Sequence, residues 1–523
     1  MWGVVIVLTI QLALYGAQAA RVSSDFHTLL SDRRDDASPG NSGVRDWNLR
    51  MSPQHYSPEL FDAGPVTSLP GWDQPELPSQ HYAGYVTVNE EGGRNLFFYL
   101  ATAEPQAGDN PPLILWLNGG PGCSSFDGFV YEHGPFSFSR ASGDASAIQL
   151  TSNPFSWTKA GHVVYVDSPA GVGFSYGDPF DLATGDERTS DDMAVMVRML
   201  VDLFGLDEVP VYITGESYAG IYVPTITTKV ARGNAQGQLP IVRLEGYAVG
   251  NGCTDPVYDG NAYVPFAAGM SLIPQRLYDV AFTACGGGSF WNYTANPNPE
   301  CQASMAHIHA LVSQLNMYDI LNKCWRPGPQ SHAAALADAI AAHGPTWPLR
   351  PVLRNGQRVP SWASLLRDEG LGLNPPCIRT AMADDWLNSE AVRAAIHARP
   401  ASEIGKWTVC ADSIDYTHDM GSMLQYHAEL ITQHKLRSLI YSGDHDMAVP
   451  HTGSEQWTRW MGEQLGVVEP WRAWEVGGQV AGYVARYSGL TYCTVKGAGH
   501  MVPQSNPEEA LEMIRRFVQD KPL

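Results

Sequence analysis

The chain has 523 residues, of which 44% are hydrophobic and 10% aromatic, enough for one large domain with an insertion or for two modest ones. That composition excludes a globally disordered protein. A formal net charge of −21 leaves no basic patch to neutralise phosphates, so nucleic acid is excluded as a partner; the charge suits solubility in an acidic compartment.

Residues 1–19 are an apolar run closing on Ala17-Gln18-Ala19, the pattern of a secretory signal peptide cut after Ala19. No later stretch approaches the ~20 apolar residues of a membrane span, so none is expected in the mature chain. Residues 20–65 are polar, include Ser31-Asp32-Arg33-Arg34-Asp35-Asp36, and read as a flexible leader or propeptide. From residue 66 the texture changes. Tyr85–Val88 and Leu96–Leu100, joined through Asn89-Glu90-Glu91-Gly92-Gly93, predict an antiparallel hairpin. Leu113–Leu117, Val163–Val166 and Val211–Ile213 are short apolar runs suited to strands buried on both faces. Asp191–Leu206 carries a helical apolar period, so strand alternates with helix, the α/β signature.

Between 255 and 428 the strand rhythm fades. This stretch holds helical segments at Ala333–Ala342 and Val392–Ala398, and five of the eight cysteines. The α/β texture returns with Leu439–Gly443, and a final helix is predicted from Asn506-Pro507-Glu508-Glu509, with Asn506 as its N-cap. The expected architecture is an α/β domain in two parts, 66–254 and 429–523, split by a mostly helical, disulfide-stapled insertion at 255–428. Two tandem domains are the runner-up. Entry to the secretory pathway makes the cysteines disulfide candidates and Asn292-Tyr293-Thr294, between Cys285 and Cys301, a glycosylation site.

Gly215-Glu216-Ser217-Tyr218-Ala219-Gly220 lies between a predicted strand and a predicted helix, Ile221–Val230. It nearly matches the nucleophile elbow, whose small flanking residues let a strand turn sharply into a helix and expose the serine Oγ. Such a serine needs a base, and the base an orienter, in the order Ser, acid, His. Asp444 and Asp446 follow a strand, and spacing does not choose between them. His500 follows Tyr492–Val495 through Gly497 and Gly499, whereas His445 sits beside the acids with no orienter downstream. The N–H of Tyr218 is an oxyanion donor by position, and Trp116–Cys123 offers a Gly-rich loop for the second.

Trp116–Ser125, Asp167–Tyr176, Gly215–Gly220, Gly250-Asn251-Gly252 and Gly497–Pro503 together resemble the serine carboxypeptidases, in order and register from Val66 to the C-terminus. Tyr441–Pro450, Trp347–Arg350 and Arg358–Trp362 resemble the plant-type branch most. The resemblance implies an α/β-hydrolase fold with a helical cap, and removal of C-terminal amino acids from peptides at acidic pH through an acyl-enzyme. It implies no cofactor and no metal. The triad would be Ser217, Asp446 and His500, with Gly120 and Tyr218 as oxyanion donors. Trp116, Asn118, Glu132 and Glu216 would bind the substrate's free C-terminal carboxylate. Two facing glutamates near a carboxylate cannot all be ionised, so binding should weaken as pH rises. The resemblance also implies the pairs Cys123–Cys410, Cys285–Cys301 and Cys324–Cys377, with Cys253 and Cys493 unassigned. Nicking within Gln330–Gly356, a homodimer, and a secreted or vacuolar location in an acidic compartment fit it as well. Acyltransferase relatives typically carry Asp and Thr where this chain has Glu216 and Asn118, and a non-catalytic binding protein would be expected to lose a triad member.

Overall fold

A computed structural model of the chain describes residues 51–141, 144–324, 351–354, 357–360, 377, 380–411 and 414–523. The expected signal peptide, the leader as far as residue 50, the Ala333–Ala342 helix and Trp347–Arg350 lie outside the described residues, as does most of Gln330–Gly356.

Eleven strands form the main sheet: β1 Phe61–Val66, β2 His81–Asn89, β3 Arg94–Ala101, β4 Leu113–Leu117, β5 His162–Val166, β6 Val211–Glu216, β7 Leu244–Gly250, β8 Arg437–Gly443, β9 Val467–Val476, β10 Gln479–Tyr487 and β11 Leu490–Val495. Their order is β1-β2-β3-β5-β4-β6-β7-β8-β11-β10-β9. The six from β5 to β11 are parallel, and antiparallel hairpins close both edges. The central strands are buried on both faces because alternate residues feed two cores. Leu113, Leu115, Ile213 and Val249 enter one, with Met196 and Leu200 of α1, Asp186–Phe204, and Ile226 of α2, Ala219–Ala235. Ile114, Trp116, Tyr212, Ala248 and Tyr441 enter the other, with Phe129, Trp157 and Met513. This is a mostly parallel α/β sheet covered by helices, as the strand–helix alternation predicts.

The insertion holds α3 Pro256–Gly269, α4 Gln275–Ala284 and α5 Pro299–Val312. Asp255 and Asn298 cap α3 and α5, each ahead of a first-turn proline. These helices enclose a separate core with Phe266, Ile273, Met305 and Ile308, stapled by Cys285–Cys301. Met447, in the loop after β8, inserts into it, and the N–H groups of Met447 and Ala448 both donate to the Met317 carbonyl. The insertion thereby grips the loop after β8.

Three expectations change. Residues 51–65, read as the end of a flexible leader, are built into the fold: β1 pairs with β2, and the Asp202 carboxylate accepts the N–H groups of Gln54, His55 and Tyr56. A polar segment is held because one buried carboxylate satisfies several of its backbone donors, which no apolar period reveals. Strands also form at Leu244–Gly250, Val467–Val476 and Gln479–Tyr487, which apolar runs did not single out. Asn506 stands at the N-cap of the last helix, Pro507–Val518, without capping it; its side-chain amide donates to the Lys496 carbonyl instead.

Candidate active site

Parallel strands place the loops that follow them along one edge of the sheet, where α/β folds put their ligands. Here β4 leads to Asn118–Gly120, β6 to Ser217, β7 to Asn251, β8 to Asp446 and β11 to His500.

Ser217 has φ 63°, a left-handed conformation that non-glycine residues adopt rarely and that turns β6 sharply into α2. Its N–H donates to the Gly250 carbonyl, and its own carbonyl accepts from Cys253 N–H, each at 3.0 Å. The strained turn is thus held from both sides. Gly119 makes the neighbouring loop fit: a Cβ there would stand 2.3 Å from the Tyr218 nitrogen, so only glycine lets the two backbones meet. The bridge between Cys123 and Cys410 ties that loop to the insertion, joined by Ser124 N–H to the Val409 carbonyl at 2.7 Å and Ala411 N–H to the Gly122 carbonyl at 2.8 Å. Cys285–Cys301 and Cys324–Cys377 are also bonded, whereas Cys253 and Cys493 are free and buried.

His500 and Asp446 are buried, and His500 Nδ1 lies 2.7 Å from Asp446 Oδ2. Asp446 also accepts from Asn251 Nδ2 at 2.7 Å, Ala448 N–H at 2.7 Å and Val449 N–H at 3.2 Å. With the other partners of Asp446 all donors, an imidazole proton on Nδ1 completes the set, which leaves Nε2 as the acceptor. That nitrogen, Nε2, is buried and has no hydrogen-bond partner among the described residues, Ser217 Oγ included. Asp444 is turned elsewhere: it accepts from Gly497 N–H at 2.7 Å and lies 2.8 Å from His445 Nδ1. That contact also removes His445 from the site.

Asn118 is the centre of a second cluster. Its Oδ1 accepts from Trp116 Nε1 at 2.8 Å and Gly128 N–H at 3.0 Å, which fixes the amide's orientation. Its Nδ2 then donates to Glu132 Oε1 at 3.0 Å and to Glu216 Oε1 at 3.1 Å. Both glutamates are buried, and the Oε2 of each has no partner among the described residues. Burial first, then the charge of Asp127, pushes the Glu132 carboxyl up to about 8. Burial, Glu132 and Asp127 hold Glu216 well above the usual carboxylate range. The two carboxyls interact with each other directly, an arrangement that needs a shared proton.

Sequence reasoning missed Asn251, Asp127 and Tyr318. Asn251 sits at φ 43° just past β7, where its amide bridges the Gly443 N–H and Asp446; the Gly-Asn-Gly spacing was its only signal. Asp127, partly covered, is pushed up to about 7 by burial and feels the charge of His500. Tyr318 packs its ring 5.2 Å from the His500 imidazole and accepts the His500 N–H on its carbonyl at 2.6 Å. Among the described residues no group of His, Cys, Asp and Glu is arranged to hold a metal, and no helix is long and apolar enough to cross a membrane.

The serine carboxypeptidase family model matches residues 70–520. Serine carboxypeptidase 1 of Hordeum vulgare is 45% identical over 474 residues, covering 87% of this chain and 92% of that protein. Serine carboxypeptidase-like 20 of Arabidopsis thaliana is 43% identical, over 87% of this chain and 92% of that one. The lysosomal protective protein of Mus musculus is 33% identical, over 88% and 94% respectively. Among solved structures, the prohormone-processing carboxypeptidase Kex1 of Saccharomyces cerevisiae aligns with a TM-score of 0.65 at 20% identity, over 87% of this chain and 95% of that one, a likeness of fold.

Proposed function

The chain belongs to the serine carboxypeptidase family and is a serine-type exopeptidase, and we propose that Ser217, His500 and Asp446 carry its chemistry while Asn118, Glu132, Glu216 and Trp116 read the free end of the peptide. His500 Nε2 takes the Ser217 Oγ proton as Oγ attacks the scissile carbonyl carbon. The N–H groups of Gly120 and Tyr218 stabilise the oxyanion. The imidazolium then gives its proton to the leaving amino acid, and water, activated by the same nitrogen, frees the shortened peptide. Asp446 keeps Nδ1 protonated throughout.

The observation that carries the exopeptidase reading is the Asn118 amide donating to two buried glutamates, one of which precedes Ser217 in the chain. A protonated Glu132–Glu216 pair has a hydrogen to donate to a substrate carboxylate, and a fully ionised pair repels it. We assign residues 66–254 and 429–523 to the catalytic core and 255–428 to an insertion, of which the helices from Pro256 to Val312 form a cap and the part from Ala383 on packs against the sheet. Three disulfides and a cluster of raised carboxyls support a secreted or vacuolar, acidic destination. Glycosylation at Asn292 and a homodimer complete the proposal. Mass spectrometry of a peptide incubated at about pH 5 tests it: stepwise loss of residues from the free-acid form alone is expected. Internal cleavage, or equal attack on the amidated form, would overturn it.

A further inference from the structure

Among the buried polar groups on the face of the sheet that carries the glutamate pair, the Tyr441 hydroxyl is one that the mechanism does not use. It has no hydrogen-bond partner among the described residues, and the residue is 1% exposed. A buried phenol without a partner is costly and rare.

Strand register says where that hydroxyl goes. Gly250 pairs with Glu216 on one side and with Tyr441 on the other, so the three lie in a row across β6, β7 and β8. All three point to the same face, the one that also carries Trp116. Gly250 has no side chain, and the tyrosine ring leans over it. A Cβ at 250 would stand 2.4 Å from Cε2 and Cζ and 2.5 Å from the hydroxyl oxygen. The ring is thus laid across the gap toward Glu216, close enough to feel the charge of Glu216 first and Glu132 next. On the receiving side, Oε2 of Glu216 and of Glu132 both lack a partner among the described residues.

Resting on the carboxylate-binding role proposed for the glutamates, we propose that Tyr441 is a positioning residue of that subsite: its hydroxyl, laid over Gly250 and unbonded while the pair shares its proton, donates to the Glu216 carboxyl once that proton is lost, and so sets the pH at which the substrate's free end is released. The phenol stays a donor because burial keeps it protonated far above physiological pH. The other ionisable groups facing the cluster are Asp127, which in turn faces His500, Tyr165 of β5, Tyr318 of the insertion, and Cys493 of β11. None of them bridges Gly250. A donor stabilises the ionised carboxyl, so removing it favours the protonated pair.

The test measures KM against pH for a peptide and its C-terminal amide, in wild type and Tyr441→Phe. Wild-type KM for the free acid should rise with pH; in Tyr441→Phe that rise should begin about one pH unit higher, with the effect on KM rather than kcat and no shift for the amide. Replacing Tyr441 by 3-fluorotyrosine, a stronger donor that fills the same space, should move the rise the opposite way, and it guards against misfolding of the first variant. A rise that stays in place, or that moves down in Tyr441→Phe, overturns the assignment of Tyr441 alone. A wild-type KM independent of both pH and the free carboxylate overturns the subsite reading and this inference together.

Discussion

Replacing Asp446 by Asn, beside the same change at Asp444, separates the two acids that spacing left open. Asp446 Oδ2 accepts three donors, from His500, Asn251 and Val449, and Oδ1 accepts one, from Ala448. Asn251 cannot turn to help, because its own Oδ1 accepts the Gly443 N–H at 3.0 Å. An asparagine would therefore keep its oxygen at the Oδ2 position and set its NH2 against the Ala448 N–H. The His500 tautomer survives, but the charge facing the imidazolium is lost. Removing one partner of a buried charge pair costs about 4 kcal/mol. At ~1.4 kcal/mol per tenfold, kcat/KM should fall on the order of 10³-fold. The opposed N–H and NH2 should also lower folding stability by about 1–3 kcal/mol. Asp444 is partly exposed and faces Gly497 and His445, so Asp444→Asn should cost less than about tenfold. Initial rates of C-terminal amino-acid release at about pH 5, with urea melts to check folding, decide the matter. A larger loss from Asp444→Asn than from Asp446→Asn would refute the assignment.

Ser217→Ala should fold as the wild type does and lose nearly all turnover, read from rates and far-UV circular dichroism. Asn118→Leu should raise KM for free-acid peptides more than for amides and lower the urea midpoint, because Trp116 Nε1 and Gly128 N–H lose their acceptor, each worth about 1–3 kcal/mol. Cys410→Ser opens a bridge between residues 287 apart in sequence, and a loss of about 2–5 kcal/mol is expected in a denaturant melt. Stability should fall as pH rises from about 7 to 8. Burial raises Asp127 to about 7, Glu132 to about 8 and Asp259 to about 8, while the buried histidines His81, His133, His162, His309, His427 and His451, held low by burial, oppose this only at lower pH, where the unfolded chain would protonate them. A midpoint that climbs with pH would contradict this.

The sheet was legible where its strands are buried on both faces: Leu113–Leu117 and Val211–Ile213 are apolar because neither face meets water. Strands such as Val467–Val476 were not, since they lie at the edge with half their residues exposed and carry no unbroken apolar run. In the site, Ser217 and His500 announced themselves through the small residues that tight turns require. Spacing did not separate Asp446 from Asp444; the family resemblance did, and in the structure a contact from Asn251, far away in the chain, sets Asp446 apart. Tyr441 looked like one more core aromatic. Its place opposite Glu216 depends on the register of three strands and the bare backbone of Gly250, which no local pattern encodes.

We propose that a proton shared by Glu132 and Glu216 lets the enzyme recognise a peptide's free end. The most direct measurement is the ratio of kcat/KM for one peptide to that for its C-terminal amide, followed from about pH 5 to pH 8. A strong preference for the free acid is expected at pH 5, declining steadily as the pair loses its proton. A preference that is absent at pH 5, or that grows with pH, would contradict it.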